Sequence, residues 1–181
     1  QTFKVGPDYL DAGHLAHVSG RPCFNLDGWM CGRHYVEQVF SSLSDDADIS
    51  IIEGVMGLFD GSSSDSICGS SAEIAAWLDV PVALVVNTHG MARSVAALVK
   101  GYNELEPAVS LAGVLANRCR SSSHAQLLAA AVMDPEECER EIKAIKAVTD
   151  RPFGVNIHAF QPGVERIIDM CIDYGVAALS Y

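Results

Sequence analysis

The sequence predicts an α/β fold in which helices flank a parallel sheet. Short runs with the alternation typical of strands recur along the first two thirds of the chain, and segments with the apolar spacing of helices lie between them. Such an alternation of strand-like and helix-like segments is typical of parallel sheets covered by helices. With 181 residues, of which 49% are apolar, the chain is long enough for one such domain or for parts of two.

The individual elements follow from local patterns. Thr2 to Val5 alternates like a buried strand, and the Gly-Pro-Asp that comes next predicts a turn. Trp29 to Leu43 has helical spacing, and Asp48 to Glu53 is a short apolar run that ends in a carboxylate. The predicted elements that follow are a helix at Ala72 to Leu78, a strand at Val82 to Asn87, a helix at Ala92 to Leu105 and a strand at Leu111 to Asn117.

The end of the chain predicts a smaller β-α-β piece. A helix is expected from Pro135, with Asp134 as its N-cap and Glu137 closing a capping box. The segment PFGVNI predicts a strand, Pro162 to Tyr174 a helix and VAALSY a further strand.

Composition excludes several classes of function. The formal charge of −11 repels phosphate backbones, so nucleic acid is not an expected partner, although a metal–nucleotide complex can still bind at a local site. No run approaches the roughly 20 apolar residues that span a bilayer, so no membrane partner is expected. The six cysteines form no C-x-x-C pair and are expected to be reduced thiols of a cytoplasmic protein.

The candidate site lies in the loops that follow the predicted strands. Ligands of parallel sheets collect at the carboxyl ends of the strands. The first loop carries Asp8 and Asp11, and the second, EGVMGLFDG, carries Glu53 and Asp60. Carboxylates that converge on one edge repel one another unless a cation intervenes, and Mg²⁺ prefers hard oxygen ligands. The sequence therefore predicts that these carboxylates lie near one another, close enough for some of them to share a cation.

Five sequence motifs are more specific than the pattern of carboxylates alone. FKVGPDYLDAG, SGRPCFNLDGWM, EGVMGLFDG, VNTHGMARS and GVLANR occur in this order. From residue 1 to about 128, the chain resembles cobyrinic acid a,c-diamide synthases. The resemblance implies a P-loop NTPase-like fold related to dethiobiotin synthetase. It also implies an ATP- and Mg²⁺-dependent amidoligase that acts on corrin-ring carboxylates, with ammonia released from glutamine by a separate domain.

The resemblance also implies roles for individual residues. Asp8, Asp11, Glu53 and Asp60 match the acidic motif positions of the family, and Lys4 matches its strand-end lysine. These five are the predicted catalytic residues, and Asp11 and Glu53 are the predicted metal ligands. Asn117, at the start of the NR pair, matches the position that faces the nucleotide base.

One expected motif is missing from these 181 residues. The glycine-rich phosphate loop of the family, of the type G-x-x-x-x-G-K-[ST], is expected ahead of Lys4, and it does not occur in the sequence. We therefore expect this chain alone to be inactive as an amidoligase.

The segment from about 129 to 181 resembles a different family. MDPEECEREIKAIKAVTDRPFGVNI is similar to the early part of nitronate monooxygenases, also called 2-nitropropane dioxygenases, which are flavin-dependent TIM barrels. The resemblance implies a β-α-β fragment of about a quarter of a barrel, with Asn156 at a position near FMN. Because a partial barrel cannot close a flavin pocket, FMN binding is not expected.

The sequence leaves two alternatives to the amidoligase open. One is an FMN-dependent oxidoreductase of the nitronate monooxygenase type, and the other is a non-catalytic binding or assembly module. The expected partner is a small corrinoid substrate, and association with a second copy or with a complementing chain stays open.

Overall fold

The computed structural model describes residues 1–132, 135–148, 154–156, 164–175 and 178–180. These residues form two compact units. Unit 1 comprises Gln1–Val82 with Ala108–Ser110, and unit 2 comprises Ala83–Pro107 with Leu111–Tyr181. The domain boundary expected near residue 128 stays a prediction.

Strands and helices alternate throughout the described residues, in the order β1 (Thr2–Val5), α1 (Tyr9–Ser19), β2 (Phe24–Leu26), α2 (Gly28–Ser44), β3 (Ile51–Glu53), α3 (Ser71–Leu78), β4 (Val82–Asn87), α4 (Ser94–Leu105), β5 (Leu111–Asn117), α5 (Ser122–Val132), α6 (Pro135–Val148), β6 (Gly154–Asn156), α7 (Val164–Asp173) and β7 (Ala178–Ser180). The predicted class, parallel sheets flanked by helices, is confirmed. No helix of the described residues is long and apolar enough to cross a membrane.

The sheet of unit 1 has the order β2-β1-β3, and both pairs of neighbours are parallel. Its core is built from five buried apolar side chains, Phe3, Val5, Leu26, Val36 and Ile74. The ring of Phe3 lies 5.3 Å from that of Phe40 on α2, so this helix covers one face of the sheet. Because parallel strands point the same way, the ends of β1, β2 and β3 lie at one edge.

Unit 2 contains two pairs of strands. β4 pairs with β5, with Thr88 N–H donating to Asn117 O at 2.9 Å just beyond the end of β4. β6 and β7 pair in parallel, with Asn156 opposite Ser180, and α7 lies between them in the chain. The expected β-α-β piece is therefore present. Units of this kind occur in open parallel sheets as well as in barrels, so its presence shows no barrel fragment.

Three elements are absent from the sequence prediction, and the start of a fourth differs from it. The helix α1, the strand β2 and the helix α5 were not predicted. In α1 the one buried residue is Ala12, so no apolar stripe marks the helix, and β2 is only three residues long. The third strand begins at Ile51 rather than Asp48.

Candidate functional site

Lys4 is the centre of a charged cluster in unit 1. It lies on the middle strand, opposite Asn25 of β2 and Glu53 of β3. Only 4% of the residue is exposed. Its ammonium nitrogen lies 3.1 Å from Asp11 Oδ2 and 3.3 Å from Glu53 Oε2, and it donates a hydrogen bond to Gly54 O at 3.0 Å. We call Lys4, Asp11 and Glu53 the Lys4 centre.

The protonation of Lys4 follows from these contacts. Burial lowers the pKa of an ammonium group because it removes water from the charge. The hydrogen bonds and negative charges of Asp11 and Glu53 outweigh that effect, so the pKa of Lys4 is raised above its ordinary value. Lys4 is therefore a fixed cation at the edge of the sheet.

The loop between β1 and α1 positions Asp11. Asp8 is the N-cap of α1, and its carboxylate accepts hydrogen bonds from Leu10 N–H at 3.0 Å and Asp11 N–H at 3.1 Å. The backbone N–H of Asp11 is the largest cause that lowers the pKa of the Asp8 carboxyl. From β2, the Asn25 amide donates to Gly6 O at 2.7 Å and to Asp8 O at 2.8 Å. Asp8 and Asn25 thus hold the turn that brings Asp11 to Lys4.

The loop after β3 is held by α3. Val55 N–H donates to Ser71 Oγ at 2.8 Å. A Cβ added at Gly54 would lie 2.9 Å from the same Oγ, so the close approach of strand and helix requires glycine at this position. Asp60 lies farther along this loop, with its N–H bonded to Gly57 O at 3.0 Å. Among the described residues the ion-pair partners of Lys4 are Asp11 and Glu53, so Asp60 does not join the Lys4 centre.

The predicted metal ligands are held by a lysine. Within the part of the chain that the structure describes, no group of three or more His, Cys, Asp or Glu side chains is arranged to hold a metal ion. Asp11 and Glu53 nevertheless fit a magnesium ion that is shared with a phosphate. Each gives one oxygen to Lys4, and both side chains are about half exposed, so each has a second oxygen to offer. Mg²⁺ is usually held by one or two carboxylates plus substrate phosphates.

The two predicted cofactor-binding residues belong to unit 2. Asn117, at the end of β5, accepts Arg118 N–H on its side-chain oxygen at 2.8 Å, and its backbone oxygen accepts the buried hydroxyl of Thr88 at 2.8 Å. Asn156 is the last residue of β6, and its side chain lies outside the described residues.

Two polar residues near the site were not singled out from the sequence, namely Asn25 on β2 and Asp27 in the turn that follows it. Asn25 holds the first loop, as described above. Asp27 is the N-cap of α2, and it accepts from Trp29 N–H and Met30 N–H at 3.0 Å through Oδ1. Its other oxygen, Oδ2, is buried and has no hydrogen-bond donor within the described residues. An Asp directly before a helical pattern is an N-cap signal, and it was available in NLDGW.

Comparison with known proteins identifies relatives of this chain. A cobyrinate a,c-diamide synthase of Syntrophotalea carbinolica is 62% identical over 132 residues, which are 73% of this chain and 29% of the relative. One of Leptospira interrogans is 51% identical over 127 residues, or 70% of the chain and 28% of the relative. Over about 70% of its length, the chain is homologous to cobyrinate a,c-diamide synthases. No protein-family model and no solved structure matches it.

The chain spans about three tenths of the length of these relatives. A cobyrinate a,c-diamide synthase of a Synechococcus strain is 38% identical over 174 residues, which cover 93% of the chain and 38% of the relative. A match over 93% of the chain necessarily includes most of the residues after 129. Nothing supports the expected nitronate monooxygenase segment, and similarity to the synthases extends into the residues assigned to it.

Proposed function

We propose that this chain is the part of a cobyrinate a,c-diamide synthase that activates a carboxylate of the corrin ring for amidation. The observation that carries the proposal is the Lys4 centre, in which one buried cation meets two half-exposed carboxylates at the edge of a parallel sheet. Phosphoryl transfer depends mostly on positioning and on neutralising charge, and this centre offers both kinds of group.

The proposed reaction has two steps. The γ-phosphoryl group of ATP passes to an oxygen of the ring carboxylate, which gives an acyl phosphate and ADP. Ammonia then attacks the acyl carbon, and inorganic phosphate leaves as the amide forms. The resemblance to the family assigns the release of ammonia from glutamine to a separate domain.

The residues of this chain have distinct proposed tasks. Lys4 is proposed to stabilise negative charge on the transferred phosphoryl group through its fixed positive charge, since its three N–H donors already face two carboxylates and one carbonyl. Asp11 and Glu53 offer oxygens to Mg²⁺, which when bound would neutralise the nucleotide phosphates. Asp8 and Asn25 are positioning residues, since they hold the turn that carries Asp11. Asp60 and Asn117 are proposed only by resemblance, Asp60 as a catalytic residue of the acidic motif and Asn117 as the residue that faces the nucleotide base.

A hybrid enzyme tests this function in the context of a complete synthase. The residues of the Syntrophotalea carbinolica relative that match this chain are replaced by those of this chain. Amidation of cobyrinic acid is then measured with ATP and glutamine. We expect the hybrid to retain activity. Cobyrinic acid with ¹⁸O in its carboxylates is expected to transfer one ¹⁸O to inorganic phosphate for each amide formed, because ammonia breaks the bond between the acyl carbon and the bridging oxygen, and phosphate leaves with that former carboxylate oxygen. A folded hybrid that makes no amide, or amide formation without ¹⁸O in phosphate, would refute the proposal.

A further inference from the structure

Three large apolar side chains are exposed directly beyond β2 and β3. Trp29 and Met30, in the first turn of α2, are 72% and 68% exposed. Met56, the third residue after the end of β3, is 76% exposed. Water-exposed side chains of this size cost hydrophobic free energy, and when they occur together they mark binding surfaces. We call Trp29, Met30 and Met56 the apolar flanks.

The apolar flanks lie on either side of the Lys4 centre. The strand order is β2-β1-β3, so α2 begins beyond the strand on one side of β1, and the Met56 loop follows the strand on the other. The carboxyl ends of three parallel strands share one edge of the sheet. The charged centre on the middle strand thus has an exposed apolar group beyond the end of each neighbouring strand.

The backbone at Met56 supports a binding role. Its φ is +53°, in the left-handed region that is unfavourable for a residue with a Cβ atom. The preceding residue, Val55, is fixed to Ser71, with its N–H donating to Ser71 Oγ at 2.8 Å and its carbonyl accepting from the same hydroxyl at 3.2 Å. The loop is therefore held in a conformation that costs free energy and exposes Met56. Local strain of this kind concentrates at ligand sites.

We propose that the apolar flanks hold the faces of the corrin ring while one ring carboxylate meets the Lys4 centre. The inference rests on the proposed function and names the residues that bind its substrate. A corrin is a large conjugated ring with apolar faces and carboxylates at its rim. Aromatic rings stack on such faces, and methionine thioethers contact them favourably.

Charge opposes a second copy of the chain as the occupant. Two chains with a formal charge of −11 each repel one another, which opposes association through the flanks. The same charge also repels the carboxylates of the ring, and the Lys4 centre offers them a single cation that two carboxylates already neutralise. Most of the affinity for the ring therefore comes from apolar contact, which only the exposed apolar groups at this edge can supply.

The test measures binding of cobyrinic acid to the 181-residue chain without nucleotide. Trp29→Ala and Met56→Ala are compared with the wild type, and the control is Val18→Ala, which removes an exposed apolar group near the far end of α1 in the same unit. Equilibrium dialysis with detection of corrin absorbance gives the dissociation constants. We expect each flank variant to bind about tenfold more weakly, equivalent to about 1.4 kcal/mol, and the control to bind like the wild type. Quenching of tryptophan emission by the corrin is expected to fall in Trp29→Ala, because Trp77 is the only other tryptophan.

Several results would overturn the inference. These are a wild type that does not bind cobyrinic acid, flank variants that bind as tightly as the wild type, and a control weakened as much as the flank variants. Sedimentation showing a wild-type dimer that the flank variants abolish without a change in affinity would assign the surface to a second copy. An active hybrid enzyme combined with unaffected flank variants refutes this inference alone. An inactive hybrid combined with flank-dependent binding refutes the proposed function alone.

Discussion

Replacing Lys4 with methionine separates the charge of Lys4 from its bulk. Methionine keeps most of the apolar stem, so the packing of β1 changes little. The substitution removes the cation that joins Asp11 and Glu53 and the hydrogen bond to Gly54 O. The two carboxylates are left close together without an intervening positive charge.

The expected loss of stability lies between two limits. Removing one partner from a fully buried ion pair costs about 3–5 kcal/mol, whereas exposed pairs contribute about 1 kcal/mol or less. Lys4 is buried but Asp11 and Glu53 are about half exposed, so water screens them once the lysine is gone. We therefore expect Lys4→Met to lower the free energy of unfolding by about 2 kcal/mol.

The effect also depends on pH. The folded-state pKa of Lys4 is raised above its ordinary value, so Lys4 contributes full stability below that ordinary value. The contribution is lost as pH rises through the raised folded value. The difference between the wild type and Lys4→Met is therefore constant near neutrality and shrinks in strong alkali.

Urea unfolding followed by far-UV circular dichroism measures these free energies at several pH values. Lys100→Met is the matched control, because Lys100 is an exposed lysine paired with Glu104 at 3.7 Å on α4. We expect the control to change stability by no more than about 0.5 kcal/mol. A double-mutant cycle with Glu53→Gln is expected to show coupling to Lys4. Equal unfolding midpoints for Lys4→Met and Lys100→Met at neutral pH would refute this account of the Lys4 centre.

Three further predictions concern the loops and the isolated chain. Gly54→Ala places a methyl group 2.9 Å from Ser71 Oγ and is expected to lower the free energy of unfolding in urea by about 1–3 kcal/mol. Gly13→Ala, in α1 with open space around it, is expected to raise that free energy slightly. Equal effects of the two substitutions would contradict the packing argument. Asp8→Ala removes the N-cap of α1 and the carboxyl group whose pKa is lowered by the Asp11 N–H. The wild type is therefore expected to be more stable than the variant above the ordinary carboxyl pKa, and to lose this advantage as pH falls through the lowered pKa. A difference in free energy of unfolding that does not change with pH in acid would rule this out. Calorimetry of the 181-residue chain with Mg-ATP is expected to give no dissociation constant below about 1 mM, because a phosphate loop contributes several charge-assisted hydrogen bonds that this sequence does not encode; micromolar binding would reveal another phosphate site.

The sequence predicts which acidic residues lie at the edge of the sheet, but not which contacts they make there. Asp11 and Glu53 lie at the same edge because parallel strands end on the same side, and the alternating pattern is sufficient to predict that. Lys4 bridges them because it pairs in register with Glu53 and is buried on the central strand. The register depends on which strands become neighbours, and no local pattern in the sequence encodes it.

The strand β2 and the helix α1 could not be predicted from the sequence, because one is short and the other has no clear apolar face. β2 has three residues, too few to show a period, and yet it carries Asn25, which holds the first loop. α1 is defined by its ends, with Asp8 as N-cap and Gly20 in a left-handed conformation at its C-cap, rather than by an apolar face. The helix after Pro135 was predicted from its capping residues, but those residues do not reveal whether a flavin barrel or a synthase surrounds it.

The most direct measurement of the central claim is the turnover of the hybrid enzyme with and without the Lys4 ammonium. Amidation of cobyrinic acid is measured at saturating ATP and glutamine for the hybrid, for Lys4→Met and for Lys100→Met. If the buried ammonium stabilises the transferred phosphoryl group, Lys4→Met lowers kcat at least about 100-fold, and Lys100→Met leaves it unchanged. A folded Lys4→Met hybrid with kcat within a few-fold of its parent would contradict the assignment of the Lys4 centre to the reaction.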